Sequence, residues 1–212
     1  MTPPTDTGEH KKKTTDGPRL RVLGSTGSGK TTAGRAIAAA LGVPFLELDN
    51  IHWHMVQPMY STNRSDEECA ALLQEFLDAN PAWVMDGSYG RWSQAALDAA
   101  TEAVLIELPL HRRLWRLWGR WWVGRRGLQG GDDAMLSSLL WLFQWAVWGG
   151  RHGPRRRLER LRASGIRWTF CRTNAQLRAY LARYPGATER FDEDVRRGKR
   201  EPEAVISGRR RG

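Results

Sequence analysis

The feature that most restricts the fold is a segment at residues 24–31, which reads Gly-Ser-Thr-Gly-Ser-Gly-Lys-Thr. It matches the pattern G-x-x-x-x-G-K-[ST] at every position, and the glycines of this pattern let the backbone turn so that successive N–H groups face one anion. An apolar run at 19–23 precedes the segment, and an Ala-rich run follows it up to residue 41. We therefore predict a strand, a phosphate-binding loop, and a helix whose positive end faces the phosphate.

The same segment predicts that the phosphate belongs to a nucleotide, with ATP as the cofactor. Lys30 can reach the β- and γ-phosphates, and the hydroxyl of Thr31 can bind Mg²⁺. Because Lys30 neutralises charge on a phosphoryl group, we predict that it is also catalytic. The residues expected to contact the nucleotide are Gly24, Ser25, Thr26, Gly27, Ser28, Gly29, Lys30, Thr31 and Thr32.

Short apolar runs alternate with longer helical patterns along the chain, and this alternation predicts the fold class. Five runs, most of them apolar on both faces, are predicted to be buried parallel strands. They lie at residues 19–24, 44–49, 82–87, 103–109 and 166–172. Helices are predicted at 30–41, 65–79, 92–100, 110–122, 134–148, 154–163 and 174–183. Right-handed crossovers between such strands give a doubly wound α/β sheet with helices on both faces.

Two acidic residues follow predicted strands. Asp49 ends the second run and Asp86 the third. Ligands of open α/β sheets bind at the carboxyl ends of the strands. One carboxylate can hold Mg²⁺ while the other orients or deprotonates an acceptor hydroxyl. We predict that both are catalytic and that Asp86 joins Thr31 at the metal; the sequence leaves open which carboxylate is the base.

Positive charge is concentrated in one internal segment and at the end of the chain. The formal net charge is +10; residues 111–162 contain twelve Arg against three acidic residues, and the stretch from 195 onward carries +5. Arg116 and Arg120 are four positions apart and share a helix face. Mobile arginines that close over a transferred phosphoryl group contribute strongly to catalysis. We predict that Arg116 and Arg120 are catalytic and bind the nucleotide.

Motifs of other nucleotide-binding classes are missing. The chain has neither the Asn-Lys-x-Asp signature of GTPases nor the Leu-Ser-Gly-Gly signature of transporter ATPases, which leaves a compact kinase. The chain resembles the adenylate-kinase-type branch of the P-loop NTPases, and within it the bacterial DNA topology modulation proteins. The resemblance rests on the loop at 24–32, Leu-Asp-x-x-x-Trp at 48–53, Trp-Val-Met-Asp-Gly-Ser-Tyr at 83–89 and Arg-Leu-Trp-Gly-Arg at 116–120.

This resemblance implies a P-loop NTPase fold with a five-stranded parallel sheet and a helical lid rich in Arg and Trp. It implies that Arg116 and Arg120 grip ATP, that Asp86 lies near Mg²⁺, and that Arg172 lies beside the adenine. Adenylate kinases carry Asp-Gly-Phe-Pro-Arg after the third strand. This chain reads Asp-Gly-Ser-Tyr-Gly-Arg at 86–91, so the resemblance does not extend to an AMP-binding pocket.

The expected organisation is a single kinase-like domain with two flanking segments. We place the domain at residues 19–194 with the lid insertion at about 111–155, a disordered leader at 1–18, and a disordered basic tail at 195–212. The Trp residues at 115, 118 and 122 form one helical stripe, and those at 141, 145 and 148 form another. Each stripe is predicted to bury the other in a helical hairpin. The alternatives are a platform on which a base stacks and a surface for a partner.

Our interpretation is an ATP-dependent kinase whose acceptor is a nucleoside, a nucleotide or another hydroxyl compound. Two alternatives remain. One is a nucleotide-dependent nucleic-acid-binding protein, which the basic segments suggest but which we favour less. The other is a regulatory protein with weak ATPase activity. The longest apolar run, residues 134–150, is too short for a membrane span, and the two Cys suggest no disulfide framework. We expect a cytoplasmic protein that is a monomer or a weak homodimer.

Overall fold

A parallel sheet of five strands lies at the centre of the structure. A computed structural model describes residues 17–54, 62–127 and 153–200, with side chains up to residue 119 in the second range and up to 197 in the third. The strands are β1 (Arg19–Gly24), β2 (Phe45–Glu47), β3 (Trp83–Asp86), β4 (Glu102–Ile106) and β5 (Arg167–Cys171). Their order is β2-β3-β1-β4-β5, so the end of β1 lies between the ends of β3 and β4.

Helices connect the strands and cover both faces of the sheet. They are α1 (Lys30–Leu41), α2 (Leu48–His52), α3 (Asp66–Ala79), α4 (Gln94–Asp98), α5 (Leu110–Gly127), α6 (Gly153–Ala163), α7 (Asn174–Leu181) and α8 (Ala187–Arg200), with a 3-10 turn at Arg91–Ser93. One core, built around Val22, Val84 and Val104, packs against α1, α7 and α8. On the opposite face, Met85 packs with α3 and α4, and Leu105 with α6. Successive residues of a strand thus point alternately into the cores on the two faces of the sheet, as predicted from runs that are apolar on both faces.

The five predicted strands and their parallel arrangement are confirmed, with ends that differ by no more than three residues. The helix predicted at 65–79 is present as α3, and the sequence Ser65-Asp-Glu-Glu at its start forms a capping box. The backbone N–H of Glu68 donates to Ser65 Oγ at 3.1 Å, and the N–H of Ser65 donates to Glu68 Oε2 at 2.9 Å. These reciprocal bonds satisfy two donors that the first turn of a helix leaves unpaired.

The second strand is shorter than predicted, and this changes the position of Asp49. The prediction placed residues 44–49 in one strand, but β2 ends at Glu47, where it pairs with Asp86, the last residue of β3. Beyond that point the chain has no strand partner on β3. It turns into α2, whose two buried apolar residues, three positions apart, pack in the core shared with α3. Asp49 therefore lies in the first turn of a helix and not at the end of a strand.

The last described helix crosses the predicted end of the domain. The prediction ended the domain at residue 194, whereas α8 continues to Arg200. Phe191 is buried in the core beside α1, and Val195, one helical turn later, is partly buried against the same core. This apolar spacing extends the helix into a segment whose many charges suggested a disordered tail.

Much of the predicted lid lies outside the described residues. Trp115 and Trp118 on α5 are 77% and 45% exposed, while the second Trp stripe falls within residues 128–152, which the structure does not describe. The mutual burial of the two stripes therefore stays a prediction. Within the described ranges, no helix combines the length and the hydrophobicity needed to cross a membrane.

Replacing Glu102 by Gln is expected to lower the free energy of unfolding by about 1–3 kcal/mol, because the carboxylate accepts charge-assisted hydrogen bonds at the start of β4. Glu102 is 6% exposed and accepts from Tyr180 Oη at 3.1 Å, Arg183 Nη1 at 2.8 Å and Arg167 Nη2 at 2.7 Å. Urea denaturation measures the loss. The matched control is Glu159→Gln, whose carboxylate is 56% exposed and pairs with Arg155; equal losses in the two variants would contradict the prediction.

Candidate functional site

The loop between β1 and α1 has the backbone geometry of a phosphate site. Gly27 and Gly29 have φ values of +79° and +90°, which favour glycine, and the N–H of Ser28 closes the turn by donating to Ser25 O at 3.1 Å. At Gly24 a Cβ atom would lie 2.3 Å from the carbonyl oxygen of Ile106, so a side chain there would push the loop away from β4. The helix α1 begins immediately after the loop, at Lys30. The tight turn and the helix N-terminus fit the phosphates of a nucleotide.

Thr31 and Asp86 meet at the mouth of this loop. Thr31 Oγ1 donates to Asp86 Oδ2 at 2.5 Å, and Asp86 is only 2% exposed. Burial raises the pKa of Asp86 to about 6, while the charge of Lys30 and the hydrogen bond from Thr31 act in the opposite direction. One hydroxyl and one carboxylate are hard oxygen ligands of the kind that Mg²⁺ uses beside substrate phosphates, so the pair fits this metal.

Asp49 lies in the first turn of α2, within electrostatic reach of Asp86. Its Oδ1 accepts a hydrogen bond from Tyr89 Oη at 2.7 Å, and its charge contributes to the raised pKa of Asp86. The ring of Tyr89 tilts against His52, with ring centroids 4.6 Å apart, and against Trp92 at 5.0 Å. Burial also lowers the pKa of His52, so its imidazole favours the neutral form. A carboxylate bordered by aromatic rings can orient a hydroxyl compound here.

The predicted lid arginine Arg116 contacts the loop directly. Its Nη1 donates to Ser28 O at 3.0 Å and its Nη2 to Asn174 Oδ1 at 3.0 Å. Burial lowers the pKa of Arg116, because its guanidinium is partly withdrawn from solvent. Arg120 lies one turn further along α5, but its side chain is outside the described residues.

Arg172 is not brought to the loop by any contact described in the structure. It is exposed, its guanidinium lies 5.9 Å from the centre of the Phe170 ring, and its backbone N–H donates to Gln176 Oε1 at 2.8 Å. Asn174, two residues later, reaches Arg116 instead. The role predicted for Arg172 beside the adenine stays a prediction.

Among the residues that hold the loop are Glu107 and Arg157, which the sequence analysis did not select. Ser25 Oγ donates to Glu107 Oε2 at 2.6 Å, and Arg157 Nη2 donates to Ser25 Oγ at 2.7 Å and to Glu107 Oε1 at 2.5 Å. Glu107 directly follows β4, so the rule that selected carboxylates after the other strands could have found it. It was missed because the predicted strand ran to residue 109. Arg157 carried no local signal, since it lies among several arginines on α6.

The strand order and the glycine-rich loop leading into α1 define a P-loop NTPase fold. No family model matches the chain. The Bacillus subtilis (strain 168) protein YqaC, itself described as uncharacterized, is 28% identical over 129 residues, which span 60% of this chain and 70% of YqaC. These values do not establish a family, and the likeness to the topology modulation proteins stays a prediction.

Two solved structures share the general arrangement of the chain. A shikimate kinase from Acinetobacter baumannii in complex with shikimate aligns over 85% of this chain and 92% of its own, with 18% identity and a TM-score of 0.44. A gluconokinase from Sinorhizobium meliloti 1021 aligns over 84% and 95%, with 19% identity and a TM-score of 0.44.

Proposed function

We propose that the protein is an ATP-dependent phosphotransferase that phosphorylates a small hydroxyl compound in the presence of Mg²⁺. The observation that carries the proposal is the bond from Thr31 to Asp86 at the mouth of the loop, within the electrostatic reach of Lys30. A loop hydroxyl, a carboxylate from a neighbouring strand and a loop lysine are the parts that position phosphates and a divalent ion in phosphoryl transfer.

Each residue has a distinct role in this proposal. Bound with Mg²⁺, ATP supplies a transferable γ-phosphoryl group. Lys30 and the loop N–H groups hold the phosphates and neutralise charge, while Thr31 and ionised Asp86 hold the metal. Asp49 accepts the proton of the acceptor hydroxyl, because Asp86 is already committed to Thr31, and Tyr89 orients the Asp49 carboxylate through its hydrogen bond.

The lid residues complete the proposed site on the nucleotide side. We place Arg116 at the phosphates, since it already contacts the loop. Arg120 follows it on the same helix face. Arg172 lies between β5 and α7, two residues before Asn174. The two cysteines, Cys69 and Cys171, are both free and buried, which suits the reducing conditions of the cytoplasm.

The decisive experiment is a transfer assay with γ-labelled ATP and Mg²⁺. The acceptors are nucleosides, nucleoside monophosphates and small hydroxyl metabolites, and the Lys30→Ala variant serves as the blank. A labelled acceptor that appears with the wild-type protein and not with the variant supports the proposal. Slow release of inorganic phosphate, with no acceptor labelled in the whole panel, contradicts it and favours the regulatory alternative.

Replacing Arg116 by Ala is expected to weaken ATP binding by about tenfold or more, because a charge-assisted bond at the loop is lost. Calorimetric titration with a non-hydrolysable ATP analogue measures the change. Arg112 is the matched control, since it is exposed and lies one turn earlier on α5. If Arg112→Ala weakens binding as much as Arg116→Ala, the effect comes from the general charge of the helix and not from a lid contact.

A further inference from the structure

Glu107 is a carboxylate that lies against a loop shaped to bind anions. It directly follows β4, its side chain is only 8% exposed, and its Oε2 accepts a hydrogen bond from Ser25 Oγ at 2.6 Å. Ser25 is the second residue of the phosphate loop. Because like charges repel, a carboxylate in this position opposes the binding of phosphates unless its charge is offset.

Arg157 offsets the charge of Glu107 and binds the same hydroxyl. Its Nε and Nη2 donate to Glu107 Oε1 at 2.9 and 2.5 Å, and Nη2 also donates to Ser25 Oγ at 2.7 Å. The three side chains form a closed set of hydrogen bonds, which we call the Ser25 network. Ser25 is 6% exposed and the Arg157 side chain 16%, so the network lies largely out of solvent. Charge-assisted bonds in such surroundings are stronger than bonds in water and fix the side chains that form them.

The Ser25 network joins three elements that are distant in sequence. Ser25 lies between β1 and α1, Glu107 follows β4, and Arg157 lies on α6. The backbone N–H of Glu107 donates to Cys171 O, the last residue of β5, at 2.9 Å. The carboxylate therefore projects from a fixed point of the sheet, and a side chain held in this way can position a loop precisely.

Other residues of the loop are also held from outside. The N–H of Gly24 donates at 3.1 Å to Ser88 Oγ, in the segment after β3, and Arg113 Nη1 on α5 donates to Thr26 O at 3.4 Å. Burial lowers the pKa of Arg113, while the charge of Glu107 acts in the opposite direction. The hydrogen bonds described between the loop and Glu107 or the two arginines involve oxygen atoms of the loop. They leave its N–H groups for a phosphate, which needs such donors.

We infer that Glu107 is a positioning residue for the nucleotide: together with Arg157, it fixes the hydroxyl of Ser25 and so holds the loop in its phosphate-binding shape before the nucleotide arrives. The inference rests on the proposed function, because it assigns a role in binding the nucleotide of that reaction. A loop that is already shaped loses less conformational freedom on binding, so the affinity is higher. Arg157 offsets the repulsion between the carboxylate and the phosphates, so this gain is retained.

The test is the affinity of Glu107→Gln for a non-hydrolysable ATP analogue with Mg²⁺, measured by calorimetric titration at constant ionic strength. The amide keeps the size of the side chain and removes its charge. If Glu107 acted on the nucleotide only through its charge, the variant would bind more tightly. Because Glu107 positions the loop, we expect binding that is weaker by about tenfold or more.

Ser25→Ala shows whether Glu107 acts through Ser25. This variant lacks both the bond from Ser25 to Glu107 and the bond from Arg157 to Ser25. We expect it to weaken binding as well. In the Ser25→Ala background, adding Glu107→Gln is expected to change the affinity by no more than about twofold, because two residues of one network do not contribute independently.

Glu102→Gln is the matched control. Glu102 begins the same strand that Glu107 follows, is 6% exposed and also pairs with an arginine, Arg183. It is expected to lose stability but to keep its affinity for the analogue within about twofold of the wild type, since it lies at the end of β4 away from the loop. All titrations are made well below the denaturation midpoint of each variant, so they report affinity and not unfolding.

Several outcomes overturn the inference. Unchanged or tighter binding in Glu107→Gln does so, and so does an equal loss in Glu107→Gln and Glu102→Gln, because the loss then follows stability. A full further loss in the Ser25→Ala background shows that Glu107 does not act through Ser25. Ser25→Ala changes no charge, so it decides the question if Glu107→Gln does not fold: weaker binding supports the inference, and unchanged affinity overturns it.

The proposed function fails separately from this inference. If Glu107→Gln and Ser25→Ala weaken binding as expected but the transfer assay labels no acceptor, the result counts against the phosphotransferase and not against the positioning role. If an acceptor is labelled and Glu107→Gln binds the analogue like the wild type, only the positioning role is overturned. A wild-type protein that does not bind the analogue overturns both.

Discussion

Replacing Lys30 by Ala is expected to lower the rate of phosphoryl transfer by roughly a hundredfold to a thousandfold, because the variant loses the loop charge that opposes the negative charge of the transferring group. Lys30 is the first residue of α1, so the helix N-terminus and the loop N–H groups remain in place. Alanine also favours the helix, so we expect a folded protein with impaired chemistry. The measurement is turnover of labelled ATP, with circular dichroism as the test of folding.

Arg35→Ala is the matched control for Lys30→Ala. Arg35 is a cation on the same helix, but it is exposed and pairs with Glu47 at the end of β2. We expect this variant to retain turnover within about threefold of the wild type, since surface ion pairs contribute little. A Lys30→Ala protein that turned over at the wild-type rate would show that the loop does not act on the phosphates during transfer.

Replacing Asp86 by Asn is expected to have opposite effects on activity and stability. Transfer should fall by roughly a hundredfold or more, because the neutral amide is a poor Mg²⁺ ligand beside Thr31. The free energy of unfolding at pH 7, without metal and nucleotide, should rise by about 3 kcal/mol. The reason is that burial raises the pKa of Asp86 to about 6, so keeping it ionised in the fold costs stability.

The stability difference between Asp86→Asn and the wild type should depend on pH. Below about pH 4, Asp86 is protonated in both the folded and the unfolded chain, so it has no such cost. Between about pH 4 and 6 the unfolded chain releases its proton first, so the wild type loses stability as the pH rises. Above about pH 6 the full cost is present. Urea denaturation with a metal chelator, at several pH values from 4 to 8, measures this difference.

Asp98→Asn is the control for the charge change itself. Asp98 is exposed and accepts a hydrogen bond from Gln94 on α4 at 2.8 Å. Its stability difference from the wild type should be small and nearly independent of pH. A stability gain in Asp86→Asn that is the same at pH 4 and pH 7 would mean that the burial of the Asp86 charge is not its source.

The part of the fold that follows from a local pattern could be predicted from the sequence. β1 and α1 begin and end where the apolar run, the glycine-rich motif and the Ala-rich run placed them. The start of α3 followed from the Ser65 to Glu68 capping box for the same reason. In each case the signal and the structure lie within a few residues, so no tertiary information is needed.

The rest of the site depends on contacts between distant residues. Asp49 was selected as the end of a strand, but β2 ends at Glu47 because its partner β3 ends there. Arg157 reaches Glu107 across 50 positions of sequence. Such pairings are set by the topology of the sheet, which the local pattern does not specify.

The hydroxyl of Ser88 limits how independently the two halves of the site can change. It accepts from the N–H of Gly24 at 3.1 Å and donates to the Gly24 carbonyl at 3.3 Å, so one side chain joins the segment after β3 to the start of the phosphate loop. A substitution that reshapes the segment after β3 for a larger acceptor will therefore also move the loop that holds the nucleotide. Evolution or engineering of a new acceptor in this protein must alter both segments together.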